Sequence, residues 1–287
     1  MNIYHYTNID AVKSIIENQE LWLTHVRYMN DSEELLHGAQ MGLPFWLDSE
    51  REKHLEEKGT LDDFDANYWD LEHLNELARS LQFYVCSFCS EPDLLSQWRG
   101  YASAKGGYAL EFNPESIKSV IEKVNSNSYG EDYAPITECH LKECIYKDDD
   151  KLTLLKPIIK KMVYGDNKGI GSERVLAVNE YFLAANKFKN IGFREEKEIR
   201  LIASVFFSTL NRHHRYKFFK ADNGMLKPYV KLRIPPDCIQ AIWVGPHPQQ
   251  ELAKDSLEQF LEVCIRKEYL SKRPIVKTSN IPLVLVE

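Results

Sequence analysis

The segment that most restricts how this chain can fold is residues 193–207, where a charged stretch runs directly into an apolar one. Its apolar residues first alternate with charged ones and then continue without interruption, which is the pattern of a buried β-strand. Because side chains alternate between the two faces of a strand, Glu196, Glu198 and Arg200 are predicted to line one face. Charged side chains on a buried strand destabilise a fold unless they are paired or take part in function. The alternative is an ordinary edge strand whose charged face is solvated.

The composition predicts a folded chain rather than a disordered one. Of the 287 residues, 44% are hydrophobic and 28% are charged, which is enough apolar material for a sizeable core. The formal net charge of -7 disfavours non-specific binding to duplex nucleic acid. The first residues lack the basic and apolar regions of a signal peptide, and no apolar run approaches the roughly 20 residues that span a bilayer. The six cysteines are scattered, so we expect reduced thiols in a cytoplasmic protein without membrane contact.

Strand and helix patterns are spread along the whole chain. Strands are predicted at residues 3–7, 21–24, 81–90, 108–113, 227–232, 239–246, 275–279 and 281–286. A helix capped by Asn8 or Asp10 follows the first strand, and another helix is predicted at 252–265. Residues 114–190 are predicted to be mostly helical. We therefore predict an α+β fold with a mixed or antiparallel sheet, in a single domain of residues 1–287 with helical insertions at about 48–80 and 114–190.

Cys86 and Cys89 form a Cys-x-x-Cys pattern, which in other contexts holds zinc or forms a redox pair. Both lie in the predicted strand at 81–90, where residues three apart point to opposite faces. No second pair with ligand spacing follows. We therefore predict two small buried side chains and no metal site.

Two further places suggest ligand contacts. His5 lies on the first strand, where it is either a residue that grips a substrate or a histidine bonded to the backbone. Trp98, Arg99 and Tyr101 lie beside a glycine-rich turn, and they could stack on and clamp a planar ligand that carries phosphates. The alternative for this cluster is a plug of the core.

Four motifs in the same order resemble the bacterial DUF2971 family, whose name implies no activity. They are His-Tyr-Thr at 5–7, Met-Asn-Asp-Ser-Glu at 29–33, Ser-Gln-Trp-Arg-Gly-Tyr at 96–101, and Phe-Arg-Glu-Glu-Lys-Glu-Ile-Arg at 193–200.

The beginning of the chain is also similar to ADP-ribosyltransferases of the DarT type. Those enzymes carry a His or Arg on a first strand, a Ser, Thr or Tyr on a second, and a Glu on a later strand, often within Glu-x-Glu. His5 matches the first position, and Glu198, preceded by Glu196, matches the last. The middle position is open between Tyr108 and Ser87. The resemblance implies an ADP-ribosyltransferase-like fold.

This second resemblance also implies an activity, in which NAD is the substrate and ADP-ribose is transferred to an acceptor. The sequence leaves open whether that acceptor is a protein, DNA, RNA or a small molecule. Glu198 would stabilise positive charge at the ribose, Glu196 would act on the acceptor, and His5 would bind a ribose hydroxyl. The remaining residues implied to bind the nucleotide are Thr7, Trp98, Arg99, Tyr101, Tyr108 and Arg200.

Two other functions remain open. A non-catalytic module could sense a nucleotide or a phage component in a bacterial phage-defence system, with the charged strand residues forming an ion-pair network. A metal-dependent nuclease would use His5, Asp31 and the paired glutamates, although these residues have no compact ligand spacing.

Overall fold

The computed structural model describes residues 2–29, 38–61, 82–101, 106–126, 136–166, 173–205, 216–222 and 224–282. Its strands are β1 (Ile3–Thr7), β2 (Glu20–His25), β3 (Phe83–Cys89), β4 (Tyr108–Phe112), β5 (Ile136–Glu143), β6 (Glu198–Val205), β7 (Phe218–Asp222), β8 (Met225–Arg233), β9 (Ile239–Val244) and β10 (Ile275–Thr278). Its helices are α1 (Ile9–Asn18), α2 (Leu43–Lys58), α3 (Leu95–Tyr101), α4 (Pro114–Asn125), α5 (Asp148–Tyr164), α6 (Glu173–Ala185) and α7 (Gln250–Arg266).

The chain divides into two compact units. The first, here called the sheet unit, comprises Met1–Thr24, Tyr84–Glu143 and Glu195–Glu287, and the second, the helical unit, comprises His25–Phe83 and Cys144–Arg194. This division does not test the predicted single domain, which stays a prediction.

One open, mostly antiparallel sheet contains all ten strands of the described residues. Along the sheet the order is β10-β9-β4-β1-β3-β2-β8-β7, and β6 pairs with β3 and β5. β3 thus has three neighbours, and because a strand has only two edges, two of them share an edge and the sheet branches there. β1 pairs with β4 along its whole length but with β3 at one position, Tyr4 opposite Cys89. The prediction of an α+β protein with a mixed or antiparallel sheet is confirmed at this level.

The first elements follow the local sequence closely. The side chain of Asn8 accepts a hydrogen bond from the Ala11 amide and caps α1, as one of the two predicted alternatives. The buried side of that helix consists of the predicted residues, Val12, Ile15 and Ile16. They join a core cluster to which the strands contribute alternate residues, including Ile3, Leu110 and Leu201.

The helical unit is built around α5. Three aspartates stand in its first turn, where negative charge suits the helix dipole, and the Lys151 side chain pairs with Asp148 at 3.0 Å. Tyr181 of α6 packs its ring against Trp46 of α2 at 5.6 Å between centroids. A proline, Pro157, lies inside α5 and removes one hydrogen bond from that helix.

The region predicted to be mostly helical, 114–190, contains a strand that the sequence pattern does not indicate. β5 pairs antiparallel with β6 from Ile136 opposite Val205 to Glu143 opposite Ile199. Most of its side chains are polar, and its exposed positions break the alternation that would reveal a strand.

Some predictions fall outside the described residues. These are positions 30–33 of the second family motif, with Asp31 among them, and positions 62–80 of the first predicted insertion and 127–135 and 167–172 of the second. The others are residues 206–207 of the segment at 193–207, residue 81 of the strand at 81–90, and residues 283–286 of the last predicted strand. None of the helices in the described part of the chain is long and apolar enough to cross a bilayer.

Candidate functional site

An ion pair between Glu198 and Arg200 lies at the beginning of β6. Arg200 donates from Nε to Glu198 Oε1 at 3.0 Å and from a terminal nitrogen to Oε2 at 3.1 Å. The two side chains point to the same face because they are two residues apart on a strand. Their exposed fractions are only 5% and 8%. The two parallel hydrogen bonds fix the orientation of the carboxylate.

Glu196 lies before the strand, so the prediction that strand alternation places it beside Glu198 and Arg200 is wrong. Residues Ile191–Glu196 form a short 3-10 helix, and Lys197 has a positive φ of 46°, so the strand begins only at Glu198. Strand alternation therefore does not extend back to Glu196. Its carbonyl accepts a hydrogen bond from Gln97 Nε2 at 3.4 Å, which ties this turn to α3.

His5 is half-buried and has one nitrogen committed to the backbone. Its Nδ1 lies 2.9 Å from the Ser87 carbonyl oxygen, which can only accept, so the proton is on Nδ1. The Cys86 sulfur is 3.7 Å from the same nitrogen. Burial lowers the pKa of His5; the Ser87 carbonyl raises it in smaller part and Lys220 lowers it further. The imidazole is therefore neutral at pH 7, and Nε2, which bonds none of the described residues, is its available acceptor.

β3 brings His5 and Glu198 near one another without making them partners. The strands that carry them, β1 and β6, both pair with β3, so the strand axes are no more than about 10 Å apart there. His5 lies opposite Leu110 and on its face, whereas Glu198 lies on the face opposite to Ile199. Leu110 and Ile199 belong to one core cluster. Strand alternation thus directs the two side chains to opposite faces and gives them no common cleft within the sheet.

The Cys86 thiol lies beside His5, and its pKa also responds to the charge of Glu198. Burial raises the pKa of its thiol to about 12; Lys220 lowers it and Glu198 raises it by smaller amounts. Lys220 is not among the residues predicted from the sequence, and its own pKa is lowered mainly by burial. Its strand, β7, was not predicted either, and a lysine directly after two phenylalanines is the only local signal that could have indicated it.

Trp98 lies in the core, and the structure favours that alternative over ligand stacking. Its side chain is completely buried, and its ring packs edge to face against Tyr6 at 4.7 Å. Nε1 donates to Asp93 Oδ1 at 2.6 Å, and a Cβ added at Gly245 would lie 2.8 Å from the ring. Both faces of the indole are therefore occupied by protein.

The other predicted nucleotide contacts fall into two groups. Thr7 lies opposite Tyr108 on the paired strands β1 and β4, and both share the face of His5. Burial raises the pKa of Tyr108, so its hydroxyl is protonated at neutral pH. Arg99 and Tyr101 are exposed on α3, an element that does not belong to the sheet.

Ser87 and Tyr108 are the two candidates for the middle position of the ADP-ribosyltransferase pattern, and Ser87 differs from Tyr108 in one respect. Its hydroxyl oxygen is buried and has no hydrogen-bond partner among the described residues. A buried hydroxyl without a partner destabilises a fold unless water or a ligand bonds to it. Among the described residues, no group of three or more His, Cys, Asp or Glu side chains is arranged to hold a metal ion.

Together these features define a mixed α+β protein with a mostly antiparallel open sheet and a buried ion pair beside its branch point. Residues 97–201 match the model of DUF2971, a family described as proteins of unknown function. The match includes the fourth of the motifs that carried the resemblance and all of the third except Ser96. Searches of the curated proteins and of the solved structures give no match.

Proposed function

We propose that this protein cleaves NAD and transfers ADP-ribose to an acceptor, with Glu198 as the catalytic carboxylate. The observation that supports this most is the two-fold hydrogen bonding of Glu198 by Arg200. A carboxylate held in one orientation at low dielectric stabilises a developing positive charge more strongly than a mobile one in water.

In the proposed reaction the bond between ribose C1′ and the nicotinamide nitrogen breaks, and its electron pair leaves with nicotinamide. The ribose gains oxocarbenium character, which the carboxylate of Glu198 stabilises. A nucleophilic oxygen or nitrogen of the acceptor then forms a bond to C1′, and its proton passes to Glu196. Glu196 lies two residues before Glu198, in the turn that leads into the strand.

Because His5 and Glu198 leave the sheet on opposite faces, one NAD molecule can contact both only around the end of β3. That strand ends at Cys89, and the backbone of Ser90 donates to the Lys197 carbonyl next to Glu198. In this proposal His5 has a secondary role: Nε2 accepts a hydrogen bond from a ribose hydroxyl. The loss of His5 should therefore weaken NAD binding more than it slows the chemical step.

The test is an incubation of the full chain with NAD, with nicotinamide release as the measurement and with magnesium present or absent. Glu198→Gln should abolish release because it removes the negative charge, while the nearly isosteric side chain fits the same space. Glu195→Gln is the matched control, since Glu195 is exposed in the neighbouring turn and should be dispensable. Full activity of Glu198→Gln, with a melting temperature near that of the wild type, would refute this assignment.

A second candidate function is a non-catalytic module that senses a nucleotide or another partner in a phage-defence system. It is favoured by the burial of Glu198 and Arg200, which suits a structural ion pair as well as a catalytic one. This function predicts binding of a nucleotide without release of nicotinamide. Metal-dependent cleavage of nucleic acid in the same assay would instead support a nuclease.

The cytoplasm is the proposed compartment for either function. All six cysteines are free and buried, which suits a reducing environment.

A further inference from the structure

The helical unit contains a groove of about 740 Å³ between α2 and α5, made of residues with no part in the proposed NAD chemistry. Its lining includes two aromatic rings, two lysines and one carboxylate. These are Phe45 and Glu52 from α2, and Lys156, Lys160 and Tyr164 from α5. Ser49 also lines the groove between Phe45 and Glu52, so the spacing on α2 is four and then three residues. The two lysines and the tyrosine of α5 are four residues apart each time. Each set therefore forms one face of its helix.

The two helices run parallel along this groove. Lys156 Nζ lies 5.7 Å from the centroid of the Phe45 ring. Further along both helices, Lys53 Nζ donates to the Val163 carbonyl at 2.7 Å and joins them again. From Lys156 to Tyr164 the helical rise makes the groove about 12 Å long.

The charged side chains that line the groove have no ion-pair partners among the described residues. Lys156 and Lys160 form no ion pair there, and neither does Glu52. In contrast, Lys53 and Lys161, which lie outside the groove lining, are each within 4.0 Å of a carboxylate. Charged groups gathered in a groove without partners are available to a ligand of complementary charge.

Charge is also distributed unevenly along the groove. Lys156 and Lys160 make one end positive. The other end is lined by the carboxylate of Glu52 and is therefore negative. In agreement with this, burial, followed by the charges of Glu56 and Glu52, raises the pKa of Tyr164 at the same end. A matching ligand has an anionic group at one end and a planar group with hydrogen-bond donors at the other.

We propose that this groove binds a mononucleotide whose base carries an exocyclic amine. The phosphate lies between Lys156 and Lys160, whose ammonium groups act as point charges. The base stacks on Tyr164, one helical turn beyond Lys160 and so about 6 Å further along. Its amine donates to the carboxylate of Glu52. The inference does not depend on the proposed function, because every residue of the groove belongs to the helical unit.

The experiment is calorimetric titration of the full chain with AMP, and with inorganic phosphate, adenosine and UMP as separate probes. AMP should bind more tightly than each of the other three, because only AMP has the anion, the ring and the amine together. Lys160→Gln should weaken AMP binding about tenfold, as expected for the loss of one charged hydrogen bond. Lys161→Gln is the matched control on the next position and should leave AMP binding unchanged.

A second variant tests the orientation of the base. Glu52→Leu should reduce the preference for AMP over UMP, since it removes the acceptor for the amine. Equal affinity of AMP and inorganic phosphate, or equal AMP affinity in Lys160→Gln and the wild type, would overturn the inference.

The location is tested separately, because AMP is also part of NAD. Photolabelling with 8-azido-AMP should mark peptides from α2 or α5, and AMP binding should be unaffected by Glu198→Gln. If AMP binding were lost in Glu198→Gln but kept in Lys160→Gln, the site would lie in the sheet unit. That result would overturn this inference and support the NAD proposal.

Discussion

The buried ion pair makes a stability prediction that can be worked out from its geometry. Glu198 and Arg200 are 5% and 8% exposed, and two charged hydrogen bonds join them. Each such bond contributes about 1.5–3 kcal/mol, and removal of one partner of a buried pair costs about 3–5 kcal/mol. We therefore expect Arg200→Met to lower the free energy of unfolding by about 4 kcal/mol, because it removes both hydrogen bonds from the guanidinium to a buried carboxylate.

The assay is urea denaturation followed by circular dichroism, with a double-mutant cycle. Glu198→Met combined with Arg200→Met should cost less than the sum of the single changes, since no charge is then left unpaired. The control is Lys118→Met, which breaks an exposed pair with Glu115 whose side chains are 57% and 74% exposed. It should change stability by less than about 1 kcal/mol.

A loss in Arg200→Met as small as in Lys118→Met would refute the reasoning. It would mean that the Glu198 carboxylate reaches water when its partner is removed, and hence that the pair is not buried in solution.

Two further predictions concern stability. Burial alone would raise the pKa of Glu111, but hydrogen bonds, chiefly from Lys277, lower it below its ordinary value. The contribution of the Glu111 carboxylate to stability is therefore complete at neutral pH and is lost as the pH falls through the lowered pKa. Glu111→Gln should reduce the free energy of unfolding at neutral pH and have little effect on it in strong acid, as measured by denaturation at a series of pH values. Gly245→Ala should destabilise by about 1–3 kcal/mol because the added Cβ would lie 2.8 Å from Trp98. Gly100→Ala meets nothing within 4 Å and should be neutral or stabilising in thermal denaturation; equal losses at the two glycines would contradict the steric argument.

Local patterns predicted many elements correctly. The strand at 3–7 and the cap at Asn8 are confirmed, and so is the helix that Gln250–Arg266 form. In these segments side-chain alternation or helical spacing is strong and the capping residues are close by, so no distant contact is needed to specify them.

Predictions failed where local and tertiary preferences differ. β5 is mostly polar because much of it is exposed, and it is a strand because it pairs with β6. The strand alternation of side chains that was predicted to include Glu196 does not extend past Lys197, because the positive φ of Lys197 interrupts the extended backbone. A sequence pattern does not show where a lysine adopts that conformation.

For the candidate site, the sequence identified Glu198 and Arg200 as a pair on one face, and the structure confirms that they share it. It did not decide whether the pair would be buried or solvated, nor whether Trp98 would stack on a ligand or lie in the core. Burial depends on which other segments cover a residue, and those segments lie far away in the chain.

By itself the sequence determined the strands and helices with regular periodicity and the match of residues 97–201 to the DUF2971 model, because both depend on short-range patterns of residues. Only the tertiary structure decided that β1 and β6 both pair with β3 and that His5 and Glu198 point to opposite faces. Strand pairing joins segments from distant parts of the chain, and a shift by one residue reverses every face. The direction of a side chain in the assembled sheet is therefore a property of the whole fold.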